Sequence, residues 1–87
     1  MIKVLIADDQ EMIRESIKIV LSSYPDIDVV RSVADGSQVL NFLKHTVVDI
    51  ILMDIRMPIM DGVVATKKVK EEFPDVKVII LTTFDDD

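Results

Sequence analysis

Lys3-Val4-Leu5-Ile6-Ala7-Asp8-Asp9 sets the reading of the whole chain: five residues of mostly apolar, β-branched character, then two acids in a row. A short apolar run of this kind reads as a strand buried on both faces. The acids mark where the strand leaves the core. The same grammar returns at Asp49-Ile50-Ile51-Leu52-Met53, followed by Asp54, and at Lys77-Val78-Ile79-Ile80-Leu81, followed by Thr82-Thr83. Between these runs the apolar period changes from two to about 3.6. Glu11–Ser22 carries Met12, Ile13, Ile17, Val20 and Leu21 on one helical face, and Tyr24-Pro25-Asp26 ends it. Ile27–Val33 alternates and reads as a less buried strand. A short helix with Val39, Leu40 and Leu43 on one face follows Asp35-Gly36-Ser37, and a third helix spans Val63–Glu72.

The order is therefore βαβαβαβ, in one domain covering residues 1–87. Strands alternating with helices of this length predict a parallel sheet with helices on both faces and right-handed crossovers. Strands one, three and four read as interior, and strand two as an edge. The fourth strand, apolar throughout, reads as covered on both faces. As a terminal strand it would be an open apolar edge, so the reading expects the natural domain to continue past Asp87. The bland alternative is a complete small fold whose edge a partner covers.

Composition narrows the function. Apolar residues make up 49% and charged residues 30% of the chain, which fits a globular fold rather than disorder. Ten basic residues against sixteen acidic ones leave a net charge of −6, which disfavours a polyanion-binding surface and suits cations or basic partners. There is no cysteine, which excludes disulfide and thiolate chemistry and fits a cytoplasmic protein. No apolar run is long enough for a membrane span or a signal peptide.

In a doubly wound sheet, ligands bind outside the carboxyl ends of the strands. That rule brings Asp8, Asp9, Asp54 and Thr82 to one rim. Like charges about 4 Å apart repel by roughly 4 kcal/mol at an effective dielectric of 20. Such a cluster persists when a cation sits in it or one acid holds a proton, and carboxylate oxygens suit Mg²⁺. With the charge neutralised, Asp54 becomes a nucleophile able to form an acyl phosphate. Each acid taken alone fits a helix N-cap or a solvated turn. The three together fit the metal site.

Val4–Gln10 (VLIADDQ), Leu52–Gly62 (LMDIRMPIMDG) and Ile79–Thr83 (IILTT), in this order and spacing, resemble the receiver domain of bacterial two-component response regulators. The opening residues and Leu81–Asp85 look most like the branch that carries a helix-turn-helix DNA-binding domain. The resemblance implies a flavodoxin-like sheet of order 2-1-3-4, with a fifth strand and two further helices beyond this chain. It implies that Asp54 is the phosphoacceptor, served by a sensor histidine kinase. Asp9 would be a direct Mg²⁺ ligand, Asp8 would hold the ion through water, and Arg56 would give its backbone carbonyl. Thr82 would be the switch hydroxyl. Met57 and Pro58 match the loop signature, where Pro58 stiffens the turn and Gly62 supplies a positive φ before the third helix.

The family's phosphate-pairing lysine sits on the fifth strand, and no lysine of this chain takes that role. Lys77 begins the fourth strand at the opposite end of the sheet, and Lys67, Lys68 and Lys70 lie on the third helix. DNA would be met only through an output domain outside the chain. The protein is expected to be a switch rather than an enzyme. A phosphatase working through an aspartyl phosphate commonly needs a second acid two residues after the nucleophile, and that position is Arg56. The remaining alternative is a non-signalling interaction module, a homodimer or oligomer paired through the open fourth strand.

Overall fold

The computed structural model describes residues 1–81. The elements alternate as β1 (Ile2–Ala7), α1 (Glu11–Ser22), β2 (Ile27–Val33), α2 (Gly36–Leu43), β3 (Ile50–Asp54), α3 (Gly62–Glu72) and β4 (Lys77–Leu81). All three strand pairings are parallel, in the order β2-β1-β3-β4. This is the flavodoxin-like arrangement the sequence predicts, with β2 at an edge.

The pleat sorts the side chains. Leu5 pairs with Ile51 and Ala7 with Met53. All four point to one face, where Val39 and Leu43 of α2 and Ala65 and Val69 of α3 close a buried cluster over them. Burying one such aliphatic side chain contributes about 1.5–3 kcal/mol, so this cluster dominates the stability of the sheet. Val4 and Ile6 face the other way and are buried too, on the side where α1 lies against β1 and β2.

Local chemistry starts the helices. Asp35 caps α2, its Oδ1 accepting from the Gln38 amide at 3.0 Å and the Ser37 hydroxyl at 2.6 Å. Gln38 reciprocates by accepting from the Ala34 amide at 3.1 Å. Asp61 caps α3 through the Val64 amide at 2.9 Å.

Three expectations need correction. The apolar stripe of α1 is narrower than the sequence suggests. Ile13, Ile17 and Leu21 are half-buried, whereas Met12 is 80% exposed and Val20 is exposed, because α1 spans only the β1–β2 half of the sheet. β4 is not covered on both faces either: Ile79 and Ile80 are 49% and 41% exposed, with β3 as the sole neighbouring strand among the described residues.

The third correction concerns Gly62, which does not adopt a positive φ; the left-handed residue of this loop is Ile59, at φ 67°. Glycine is required at 62 for a different reason. Its amide donates to Ile55 O at 2.7 Å, closing the loop, and any Cβ there would run into the Asp54 carbonyl.

These two positions make opposite predictions. Ile59 is 85% exposed and β-branched in a backbone region that penalises it, so Ile59→Gly should stabilise the protein by about 1 kcal/mol. Gly62→Ala forces backbone apart and should destabilise it by about 2–3 kcal/mol. Urea unfolding at constant m-value checks both.

Candidate functional site

Register builds the site. β1 and β3 are neighbours, and Ala7 pairs with Met53, so the next residue of each strand, Asp8 and Asp54, emerges side by side at the carboxyl end of the sheet. Asp9 follows one step into the β1–α1 turn. One carboxylate oxygen from each of Asp8, Asp9 and Asp54 lies within 4.8 Å of the others. Asp8 and Asp54 are buried and Asp9 is exposed, so the cluster has a dry floor and a wet mouth.

Asp8 is held on several sides. Its amide donates to Val33 O at 3.1 Å, and its Oδ1 accepts from the Gln10 amide at 2.9 Å. Its Oδ2 is buried with no hydrogen-bond partner among the described residues. Desolvation is the main force pushing the Asp8 pKa above its ordinary 3.8, and the Asp54 and Asp9 charges add to it. The Gln10 amide and the Arg14 charge pull the other way. A buried carboxylate oxygen without a donor, facing two more carboxylates, has the chemistry of a hard-cation ligand. A span of under 5 Å suits an ion that touches some of the three and reaches the rest through its own water.

The loop after Asp54 is firmly tied. Met57 is buried in the core cluster, and Met60 packs against it. Pro58 is exposed and its carbonyl accepts from the Met60 amide at 2.6 Å, a turn centred on Ile59. Met60 O accepts from the Gly36 amide at 2.9 Å, which fastens the loop to the start of α2. Arg56 is exposed two residues past Asp54. Thr82 lies outside the described residues. The structure thus brings Asp8, Asp9 and Asp54 together, with Met57, Pro58 and Gly62 shaping the loop beside them.

Sequence reasoning missed Arg14. Its Nη1 donates to the Asp8 carbonyl at 2.7 Å, tying α1 to the acid-bearing turn. The signal was present: Arg14, Ile17 and Leu21 share one helix face, so a cation stands on the inward stripe one turn into α1.

A family model for the response regulator receiver domain matches residues 4–87. The chain belongs to that family. Among similar receivers, the transcriptional regulatory protein LiaR of Bacillus subtilis is 44% identical over 87 residues, covering all of this chain and 41% of LiaR. The response regulator protein VraR of Staphylococcus epidermidis is 44% identical over 86 residues, covering 99% of this chain and 41% of VraR. This receiver chain therefore spans about two-fifths of the length of these relatives. Among solved structures, an RcsB–DNA complex superposes with a TM-score of 0.90 at 27% identity, covering 98% of this chain and 45% of RcsB. The response regulator domain of Thermotoga maritima CheB gives 0.85 at 33% identity, covering 94% of this chain and 60% of that one.

Among the described residues, the Asp8 and Asp35 carboxyls respond to pH in opposite senses. Asp8, held above its ordinary value, favours the fold while protonated, and that contribution vanishes as pH rises through its raised pKa. Asp35, held below 3.8 chiefly by the Ser37 hydroxyl, contributes above that value and loses its effect as pH falls through the lowered one. In EDTA at neutral pH, Asp8→Asn should therefore melt several degrees higher than the parent, and the gap should close on acidification. Asp35→Asn should melt lower at neutral pH and converge with the parent in strong acid. Thermal melts by circular dichroism read both.

Proposed function

We propose that this receiver is a phosphoacceptor switch of a two-component system, taking a phosphoryl group on Asp54 from the phosphohistidine of a sensor histidine kinase. The observation that carries the reading is the meeting of Asp8, Asp9 and Asp54 at the strand ends, with the buried Asp8 Oδ2 lacking a donor among the described residues. Asp9 and Asp54 would hold Mg²⁺ directly, Asp8 through water, and Arg56 through its backbone carbonyl. Bound there, the cation offsets the repulsion between the Asp54 carboxylate and the incoming phosphoryl oxygens.

The chain's own residues do the rest. An Asp54 carboxylate oxygen attacks phosphorus as the phosphorus–nitrogen bond to the donor imidazole breaks, and the departing ring nitrogen takes a proton from solvent. The short tether from Gly62 N to Ile55 O keeps the Asp54 backbone in place while its side chain reacts. Asp54 is buried while the neighbouring Asp9 is exposed, so the donor would approach from the Asp9 side of the cluster. Thr82 is the proposed switch hydroxyl, turning toward the phosphoryl oxygens and shifting the population of two states. The output is transcriptional control through a helix-turn-helix DNA-binding domain; the likeness to LiaR, a transcriptional regulatory protein, and to RcsB, solved in complex with DNA, supports an output of this kind. The location is the cytoplasm, and among the described residues no helix is long and apolar enough to cross a membrane. The protein acts as a switch and not as an enzyme.

Acetyl phosphate or beryllofluoride with Mg²⁺ tests this directly. The parent should be modified and Asp54→Asn should not, by intact-mass or fluorine spectra. Equal modification of both removes Asp54 from its role.

A second reading rests on β4. Its exposed Ile79 and Ile80 favour self-association through the strand edge, with signalling left aside. Light scattering across a concentration series should then show a dimer that Ile79→Lys abolishes. A monomer at high concentration rejects this reading.

A further inference from the structure

Arg14 stands on the inward face of α1, half-buried, with its guanidinium bonded to the Asp8 carbonyl at 2.7 Å. The bond is not needed to place the acids. The Asp8 amide is already held by Val33 O at 3.1 Å and the Asp8 carboxylate by the Gln10 amide at 2.9 Å. Gln10 O in turn accepts from the amides of Ile13 and Arg14, both at 3.1 Å, which locks the turn onto α1. Four backbone-anchored bonds thus fix the turn without the guanidinium. What the guanidinium adds is a permanent positive charge held on the backbone of Asp8, one of the three clustered acids, where it pulls the Asp8 carboxyl toward its ionised form.

We infer that Arg14 is a built-in countercharge of the acidic pocket: it offsets the acids' repulsion when the pocket is empty and opposes the divalent cation when one binds, so it sets cation affinity. The inference deepens the phosphoacceptor reading and rests on it. Its logic is Coulombic. A fixed positive charge lowers the repulsion among the acids in the cation-free fold, and it repels a doubly charged ion twice as strongly as a proton-sized unit charge at the same distance. An arginine suits this task because its charge persists at every working pH. The competing view makes Arg14 a structural clamp, whose loss would loosen Asp9 and weaken binding.

The two views differ in sign, so calorimetric Mg²⁺ titration of the protein separates them. Arg14→Gln keeps a donor and removes the charge. It should bind Mg²⁺ about three- to tenfold more tightly than the parent. Arg14→Lys keeps the charge and should stay within about twofold. Melting gives a second readout: in EDTA, Arg14→Gln should melt below the parent, yet gain more from added Mg²⁺. Unchanged or weaker Mg²⁺ binding by Arg14→Gln overturns the inference. Asp9→Asn is the control on the site itself. If it binds Mg²⁺ as the parent does, the metal reading fails, and the role of Arg14 falls with it. If Asp9→Asn loses binding while Arg14→Gln changes nothing, only the countercharge is rejected.

Discussion

Three carboxylates crowded at the end of a parallel sheet repel one another, and everything else in this receiver has to hold them there. The restraint is not local. Asp8 and Asp54 are neighbours because Ala7 and Met53 lie opposite one another in the β1–β3 register, and that register is fixed by the cluster beneath them. A slip of β3 by one residue would turn Ile51 and Met53 out of the core, at the expense of about 1.5–3 kcal/mol for each buried side chain lost. Pairwise repulsion of carboxylates at an effective dielectric of 20 is of order 4 kcal/mol, so the core outweighs it. The acids are placed by hydrophobic packing, and their mutual dislike remains available for a cation to relieve.

Much of this was legible in the sequence, because both the sheet and the acids follow simple periodicities. Apolar runs ending in Asp8-Asp9 and in Asp54 gave strands whose carboxyl ends share a rim, and parallel topology did the rest. What was not legible depends on which element covers which. The pattern of α1 marks Met12 and Val20 as apolar but not how far the helix reaches over the sheet. The pattern of β4 marks its residues as apolar but not whether anything lies on them. Gly62 was singled out correctly and for the wrong reason: glycine suggests dihedral freedom, whereas the structure uses its lack of a side chain to let the Asp54 carbonyl pass. Ile59, a residue type that argues against a left-handed backbone, carries the unusual φ instead. Arg14 was hidden because a cation on a helix reads as solvated surface until its carbonyl partner is seen.

The helix starts show a similar division of labour. Asp35 and Asp61 both cap helices, and their carboxylates are occupied by amides and, at Asp35, a serine hydroxyl. Asp8 also accepts from an amide, but with one oxygen, and the other is left over. Asp8 is set apart because its second oxygen is itself buried without a partner among the described residues. Burial of the residue as a whole does not separate the two kinds, since Asp8 and the helix-capping Asp35 are both buried.

The bond from the Gly36 amide to Met60 O joins two stretches of chain that also share the core cluster through Met57, Met60, Val39 and Leu43. Where α2 begins, the backbone lies so close to Met60 that position 36 has no room for a methyl group. The loop leading away from Asp54 and the start of α2 thus meet along a backbone seam that admits only the smallest residue, so a side chain of any size at position 36 would pry the two apart.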